Sequence, residues 1–164
     1  MKIQTYTEPS VWSESSILEP SKILNKEKVH KDGLLHKSVH LLAFNSERKI
    51  FSRKRAESEL RYSGCYTTTI GTHVELEKDY CETLCSFLPV YLHNTIEWVG
   101  EFRVKDNFEN EVCGLYILEI ETLPQEIEKH HYLLRQSSLE EEIRNNNVTQ
   151  HLEKALRLFQ SKDK

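Results

Sequence analysis

A short amphipathic helix that lies between strand-like segments limits the folds open to this chain. Asp79 can cap this helix, and its apolar residues recur at positions i, i+3, i+4 and i+7, so they share one face. These residues are Cys81, Leu84, Cys85 and Leu88. Pro89 is expected to end or kink the helix, because a proline inside a helix loses a hydrogen bond and clashes with the preceding turn. The prediction is a helix over residues 79–88, with Leu84 and Leu88 buried against a sheet.

The segments around this helix have the composition of β-strands. Strands are predicted over residues 39–44, 49–53, 66–70, 96–104 and 112–120. The polar stretch 45–48 predicts a hairpin between the first two strands, and the polar stretch 105–111 links the last two. The third strand is expected to end at Gly71.

The two ends of the chain differ in pattern. Ser138 and Glu141 predict a capping box, and a last helix is expected to start at Thr149. The apolar stripe of this last helix consists of Leu152, Ala155, Leu156 and Phe159. Residues 1–28 are weakly patterned and predict an N-terminal arm, in which the apolar pairs 11–12 and 17–18 could add an edge strand. Residues 29–164 then form one domain, because strands around a central helix with helices at the end are typical of an α/β or α+β domain.

The length and charge of the chain exclude several classes of protein. The 164 residues fit one domain, and 22 Lys and Arg against 26 Asp and Glu give a net charge of −4. This acidic balance predicts no nucleic-acid partner. No apolar run approaches the ~20 residues that span a bilayer, and the start of the chain lacks the pattern of a signal peptide. We therefore expect no membrane partner and a cytoplasmic location.

The four cysteines are expected to be reduced thiols in an unexported chain. They are Cys65, Cys81, Cys85 and Cys113. Cys81 and Cys85 would lie one helical turn apart and could be two metal ligands. Because no second cysteine pair has a matching spacing, a structural zinc site at this pair is not favoured.

Several motifs occur in a characteristic order from residue 29 onward. The chain has Val-His-Lys-Asp-Gly-Leu-Leu-His at 29–36, Arg-Lys-Arg at 53–55, Ser-Gly-Cys-Tyr at 63–66, Gly-Thr-His-Val-Glu at 71–75 and Glu-Asn-Glu-Val-Cys-Gly-Leu-Tyr at 109–116. This order resembles the Nudix superfamily, and within it the branch of isopentenyl-diphosphate isomerase. The resemblance covers about residues 29–160 and implies a Nudix-like α/β/α sandwich with a mixed β-sheet.

The catalytic box of that family is degenerate in this sequence. Its usual form is Gly-x5-Glu-x7-Arg-Glu-U-x-Glu-Glu-x-Gly-U, with U a bulky aliphatic residue, and its helix directs carboxylates at Mg²⁺ ions that bridge a diphosphate. In one register, Phe87, Val90 and Tyr91 stand at carboxylate positions; in the register shifted by one, Ser86, Pro89 and Val90 do. Neither register restores a carboxylate to the core of the metal site. We therefore expect impaired hydrolysis.

The isomerase branch implies a different metal site, built from three histidines and two glutamates. The similar positions here are His30, His36, His73, Glu109 and Glu111, with His30 displaced by one residue. Imidazole and carboxylate ligands suit a divalent ion, so Mg²⁺ or Mn²⁺ is the candidate cofactor. The alternative is that these residues are strand-end groups satisfied by hydrogen bonds. Ile70 stands where the branch has its acid–base cysteine.

Basic and acidic residues near the box have two interpretations each. Arg53 and Arg55 close the second strand, where the family binds diphosphate. We therefore expect them to line one cavity with His36 and His73 and to hold the phosphates. The alternative is that they belong to a solvated basic loop. Lys37, Lys54 and Arg61 are further basic candidates of the same kind. Four acidic residues could replace the box carboxylates, but helix capping and solvation explain them better. They are Glu75, Glu77, Asp79 and Glu82.

Three functions follow from these patterns and stay open. The first is a binding or regulatory module for a nucleotide, a diphosphate or a protein partner, without efficient hydrolysis. The second is a divergent hydrolase of nucleoside-diphosphate-linked compounds, whose metal ligands lie outside the box. The third is an interaction domain with an empty cleft. Tyr62, Tyr66 and Trp98 could stack on a base, although core packing explains these aromatic residues equally well.

Overall fold

The computed structural model describes residues 1–13 and 16–162, which form a mixed β-sheet with helices on both faces. The strands are β1 (Lys2–Tyr6), β2 (Pro20–Asn25), β3 (His36–Phe44), β4 (Ile50–Lys54), β5 (Tyr66–Thr67), β6 (Ile70–His73), β7 (Glu97–Lys105), β8 (Asn110–Glu119) and β9 (His131–Leu134). The helices are α1 (Lys26–Lys31), α2 (Tyr80–Cys85), α3 (Gln136–Arg144) and α4 (Gln150–Lys162), and a 3₁₀ turn spans Val90–Leu92. Residues 163 and 164 of the predicted domain lie outside the described residues.

Strand β3 is the centre of the sheet. It runs parallel to β8 over its whole length, from the pair His36–Glu111 to the pair Phe44–Glu119. Its other neighbours β1, β4 and β6 are antiparallel to it, and β7 is antiparallel to β8. The sheet is therefore mixed, as the resemblance implies.

The two faces of β3 carry two separate parts of the core. Leu42 and Phe44 pack on the side of α4, whose four-residue apolar stripe is buried. Val39 and Leu41 point to the opposite side, where they pack with Leu84 of α2. Successive side chains of a strand point to opposite faces, so one strand holds both helical layers. This arrangement confirms the α/β/α sandwich.

Four of the five predicted strands are confirmed within a few residues. The prediction of one strand over residues 66–70 is wrong, because the chain breaks there into β5 and β6. At the break, the hydroxyl of Thr69 donates to the carbonyl of Phe51 and accepts from the amide of Ala43. These bonds replace the strand ladder where the chain changes partner, since β5 pairs with β4 and β6 pairs with β3.

The helix predictions are right in position and partly wrong at the ends. Asp79 caps α2 by accepting from the amide of Glu82, and Leu84 and Leu88 are buried. The helix ends at Cys85 instead of residue 88, and Pro89 instead precedes the 3₁₀ turn. The predicted capping box at residues 138–141 is wrong, because α3 already begins at Gln136. Thr149 does cap α4, by accepting from the amide of Leu152.

The N-terminal arm contributes more to the sheet than the sequence indicates. β1 and β2 pair with each other, and Thr5 of β1 pairs with His36 of β3. The apolar pairs predicted to form the edge strand lie outside these strands, and Val11 and Ile17 are exposed. The predicted boundary after residue 28 falls within α1. Among the residues that the structure describes, no helix is long and apolar enough to cross a membrane.

Candidate functional site

Five of the sequence-predicted residues come together at one end of the central strands; we call them the outer cluster. They are His30, His36, His73, Glu109 and Glu111, and one donor atom from each lies within 4.8 Å of all the others. α1 carries the first histidine, β3 begins at the second and β6 ends at the third. The parallel register of β3 and β8 places Glu111 directly beside His36. The three imidazole rings form a triangle with 5.0 Å between each pair of centroids.

The hydrogen bonds of the outer cluster leave one carboxylate oxygen unpaired and bring imidazole nitrogens close together. His36 donates from Nδ1 to the carbonyl of Leu34 at 2.9 Å, and its Nε2 lies 3.1 Å from Oε1 of Glu111. The Nε2 atoms of His30 and His73 are 3.2 Å apart, so at most one proton can lie between them. Among the described residues, Oε2 of Glu109 is buried without a hydrogen-bond partner, although Nε2 of His30 is 3.2 Å away.

Burial and charge act in opposite directions on this cluster. Burial would raise the pKa of Glu111, but hydrogen bonds from His151, His36 and His73 hold it well below its ordinary value. Burial would lower the pKa of His36, but the contact with the Glu111 carboxylate raises it instead. For His73 burial prevails, and the pKa is lowered. The cluster therefore carries a buried negative charge that only cationic or donor groups can balance.

A cavity of about 260 Å³ opens beside the outer cluster. His73 and Glu111 lie in its wall together with Arg53 and Arg55. The prediction that His36 lines the same cavity is wrong. Its ring is fully buried between the carbonyl of Leu34 and the carboxylate of Glu111, and it borders a separate cavity of about 210 Å³.

The predicted basic residues differ in how free they are to bind an anion. Arg53 lies in the cavity wall and forms no ion pair within the described part of the chain, and burial lowers its pKa. Arg55 bonds to the carbonyl of Arg61 at 3.0 Å and pairs with Glu59. Arg61 lines the cavity as well and donates to Glu109. Arg53 is thus the guanidinium best placed for an anion.

Two lysines near this region point elsewhere. Nζ of Lys54 lies over the ring of Tyr66, 5.3 Å from its centroid. Nζ of Lys37 lies over the rings of Tyr6 and Tyr80. Both ammonium groups interact with aromatic rings on the protein rather than with the cavity.

One of the three candidate stacking residues reaches the cavity. Tyr62 lies in its wall, donates to Asp106 and meets the ring of His151 edge-on, with 6.0 Å between centroids. Tyr66 packs against the core on the side of α4. Trp98 stacks on Tyr80 at 5.6 Å, outside the cavity wall.

The residues that align with the box carboxylates lie outside the wall of the cavity. Phe87, Val90 and Tyr91 are 46%, 80% and 69% exposed, and the shifted register adds Ser86 and Pro89. Among the described residues, the acidic side chains before α2 also lie outside the wall of the cavity. Of those side chains, Asp79 caps α2, which agrees with the capping interpretation.

Cys81 and Cys85 lie side by side on α2, with their sulfur atoms 3.9 Å apart. Burial and the contact with Cys81 raise the pKa of Cys85 to about 11. Among the described residues, no histidine or acidic group joins them in a cluster of potential metal ligands. The zinc site that the sequence did not favour at this pair gains no support.

A second polar cluster, which we call the inner cluster, was not identified from the sequence. It consists of His40, Glu111, Cys113 and His151, all buried, with donor atoms within 4.8 Å of one another. A signal for one of its four members is present: His40 follows His36 and Ser38 at alternate positions along one face of β3. No local pattern links this strand to His151, which comes from the first turn of α4.

Comparisons with known proteins locate the fold but show no family. No protein-family model matches the chain, and no curated protein sequence matches it. Among solved structures, DR0079 from Deinococcus radiodurans superposes with a TM-score of 0.69 at 13% identity, covering 98% of both chains.

Two further solved structures superpose on a large part of this chain. A MutT protein from Methanosarcina mazei has a TM-score of 0.57 at 11% identity, covering 79% of this chain and 96% of its own. A chain from the complex between the C-terminal domain of mouse MUTYH and human PCNA has a TM-score of 0.55 at 15% identity, covering 78% and 89%. Together with the mixed sheet between helical layers, these similarities identify a Nudix-like fold.

Proposed function

We propose that this protein binds a small molecule with a diphosphate group beside a divalent cation held by the outer cluster. The observation that carries the proposal is the convergence of five donor atoms next to a cavity lined by Arg53. Three imidazoles and two carboxylates form a ligand set that suits Mn²⁺ and related divalent ions. Such an ion, when bound, would neutralise phosphate charge.

Unpaired electron pairs in the outer cluster support this proposal. The Nε2 atoms of His30 and His73 are only 3.2 Å apart, so at most one of them can donate to the other. Oε2 of Glu109 is buried and has no hydrogen-bond partner among the described residues. A divalent cation would accept electron pairs from all five groups at once, and His36 would give up its Nε2 proton on binding it.

Arg53 is the proposed partner for the phosphate oxygens. Its guanidinium is half-buried in the cavity wall, and its planar fork can donate two parallel hydrogen bonds to a phosphate. His36 has no direct contact with the ligand in this proposal, because it lies behind Glu111. We assign it to the metal alone.

The helix that carries the catalytic box in the Nudix family has no part in this proposal. The exposed apolar residues Phe87, Val90 and Tyr91 offer no oxygen ligand to a cation. We therefore expect turnover of common Nudix substrates with Mg²⁺ to stay near background. Hydrolysis that EDTA abolishes, and that is lost in a His73→Ala variant, would instead favour a divergent hydrolase with metal ligands outside the box.

The test is a calorimetric titration of a nucleoside diphosphate, with and without Mn²⁺, against the wild type and the Arg53→Ala, Arg55→Ala double variant. We expect Mn²⁺-dependent binding to the wild type and an affinity lower by about tenfold or more in the variant, since hydrogen bonds to charged groups are lost. Lys54→Ala is the matched control, because its ammonium lies over Tyr66. Equal affinities, or no binding to the wild type, would contradict the proposal.

A role in protein interaction is the second candidate. The apolar side chains of Phe87, Val90 and Tyr91 are exposed close together in sequence after α2. One structural neighbour is a chain from a complex with a protein, human PCNA. If the titration shows no nucleotide binding, this surface becomes the better starting point.

A further inference from the structure

The potential metal-ligating atoms of the inner cluster meet around the hydroxyl of Ser38. The hydroxyl of Ser38 has one hydrogen but three acceptors within reach: Oε2 of Glu111 at 3.1 Å, Sγ of Cys113 at 3.1 Å and Nε2 of His40 at 3.2 Å. Only one of the three contacts can be a hydrogen bond from this hydroxyl. The thiol of Cys113 and Nε2 of His151 also face Oε2 of Glu111, at 3.6 Å and 2.7 Å. The atoms that share protons here become a set of four electron-pair donors to a cation when those protons leave.

The ring of His40 is held in the form that can bind a metal. The hydroxyl of Thr68 donates its hydrogen to the carbonyl of Ile70, so it accepts from Nδ1 of His40 at 2.8 Å. This bond assigns the ring proton to Nδ1 and leaves the lone pair on Nε2, which faces the rest of the inner cluster. Metal-binding histidines are commonly oriented by such a bond from their other ring nitrogen.

Glu111 belongs to both clusters through different oxygen atoms. Its Oε1 lies 3.1 Å from Nε2 of His36 and 3.5 Å from Nε2 of His73, in the outer cluster. Its Oε2 lies 2.7 Å from Nε2 of His151 and 3.6 Å from Sγ of Cys113, in the inner cluster. One carboxylate can therefore serve two ions without changing its position.

We propose that the inner cluster is a second cation site, specific for Zn²⁺, with His40, Cys113, His151 and Oε2 of Glu111 as its four ligands. Two imidazoles, a thiolate and a carboxylate are typical zinc ligands, whereas Mg²⁺ prefers oxygen ligands alone. Binding would release the thiol proton of Cys113 and break the bond from Nε2 of His151 to Glu111, and the neutral ring of His151 would then carry its proton on Nδ1. Three of the four ligands lie outside the outer cluster, so this proposal does not depend on the proposed function.

The ion has a route to this site. His40, Glu111 and His151 all lie in the wall of the 260 Å³ cavity, while Cys113 is fully buried behind them. The site is thus open on the side of the cavity and closed on the side of the core. A bound ion would add a positive charge to the same wall that contains Arg53.

The test uses Co²⁺ as a spectroscopic substitute for Zn²⁺ in a Cys65→Ser, Cys81→Ser, Cys85→Ser protein, where Cys113 is the single remaining thiol. We expect a near-ultraviolet charge-transfer band from thiolate to Co²⁺, which added Zn²⁺ removes. The band should disappear on Cys113→Ser, an almost isosteric change. It should persist in a His30→Ala, His73→Ala variant, which disrupts only the outer cluster.

Competition with a chromophoric chelator then measures the Zn²⁺ affinity. We expect His151→Gln to weaken the Zn²⁺ affinity by more than about tenfold. Replacing a residue that only bonds to a metal ligand can already cause a loss of this size. Far-ultraviolet circular dichroism of each variant verifies that it is folded, and His151→Gln covers the case in which Cys113→Ser does not fold. Absence of the band in the triple-serine protein, or its persistence in a folded Cys113→Ser variant, would overturn the proposal. A failed nucleotide titration would leave it unaffected.

Discussion

At the scale of single residues, Gly71 shows how closely the polar clusters are packed. A Cβ atom at this position would lie 2.7 Å from Cε1 and 2.8 Å from Nδ1 of His40. That ring cannot turn away easily, because it is buried and bonded to Thr68. We therefore expect Gly71→Ala to lower the free energy of unfolding by about 1–3 kcal/mol, as for other overpacked sites. Urea denaturation of the metal-free protein measures this change.

The control for this substitution is the same change in a His40→Ala background. Because the ring is absent in that background, the added methyl group has space. Gly71→Ala should therefore lower the free energy of unfolding much less than it does in the wild type. A double-mutant cycle gives the coupling between the two positions. The same cost in both backgrounds would show that backbone conformation, and not the ring, requires glycine here.

At the scale of elements, α2 depends on one apolar face for its place in the fold. Leu84 is fully buried against Val39 and Leu41 of the sheet, although the helix has only six residues. Such a short helix is not stable alone, so packing must hold it. Truncating Leu84 to Ala should lower the free energy of unfolding by about 2–4 kcal/mol, because it leaves a cavity. Chemical denaturation provides the measurement.

Phe87 offers a matched control in the residues that follow α2. Its side chain is 46% exposed, so Phe87→Ala should change the free energy of unfolding by no more than about 0.5 kcal/mol. If the two truncations had equal effects, the assignment of the buried face would be wrong. A large effect at Phe87 alone would indicate that a partner or a second copy covers this surface.

At the scale of the whole molecule, the buried histidines make stability depend on pH. Burial lowers the pKa of His40 from 6.5 to about 3, and it lowers those of His73 and His131 as well. The contribution of these neutral histidines to the free energy of unfolding is complete above pH 6.5. It decreases as the pH falls from 6.5 toward their pKa values in the folded protein. His36 has a raised pKa, so its contribution to stability changes only above pH 6.5. Glu111 has a lowered pKa, so its contribution decreases as the pH falls below 4.5, outside the range tested below. For His40 alone, we expect the free energy of unfolding to decrease by about 2 kcal/mol when the pH is lowered from 6.5 to 5.

This prediction is tested by urea denaturation at both pH values in the presence of EDTA. A His40→Gln variant should lose less stability on acidification than the wild type, because it has no ring to protonate. His130→Asn, on the surface, should keep the pH dependence of the wild type. Equal stability of the wild type at the two pH values would contradict a neutral, buried His40.

The sequence by itself determined most of the local elements. Strand-like composition identified β3, the stripe from Leu152 to Phe159 identified α4, and Asp79 identified the start of α2, because these signals depend on neighbours within a few residues. The resemblance to a known family brought the five outer residues together before any geometry was available. The resemblance did not distinguish between the two arginines. Arg53 lies in the cavity wall without an ion pair among the described residues, whereas Arg55 bonds to Arg61 and Glu59.

Only the tertiary structure decided how the polar residues meet. The parallel register of β3 and β8 places His36 beside Glu111 and Ser38 beside Cys113, and a shift by one residue would turn each side chain to the other face of the sheet. The docking of α4 then brings His151 to the second oxygen of Glu111. Register and docking join residues that are 40 to 75 positions apart. Local sequence patterns contain no information about such pairs, so the shared carboxylate could be recognised only from the folded chain.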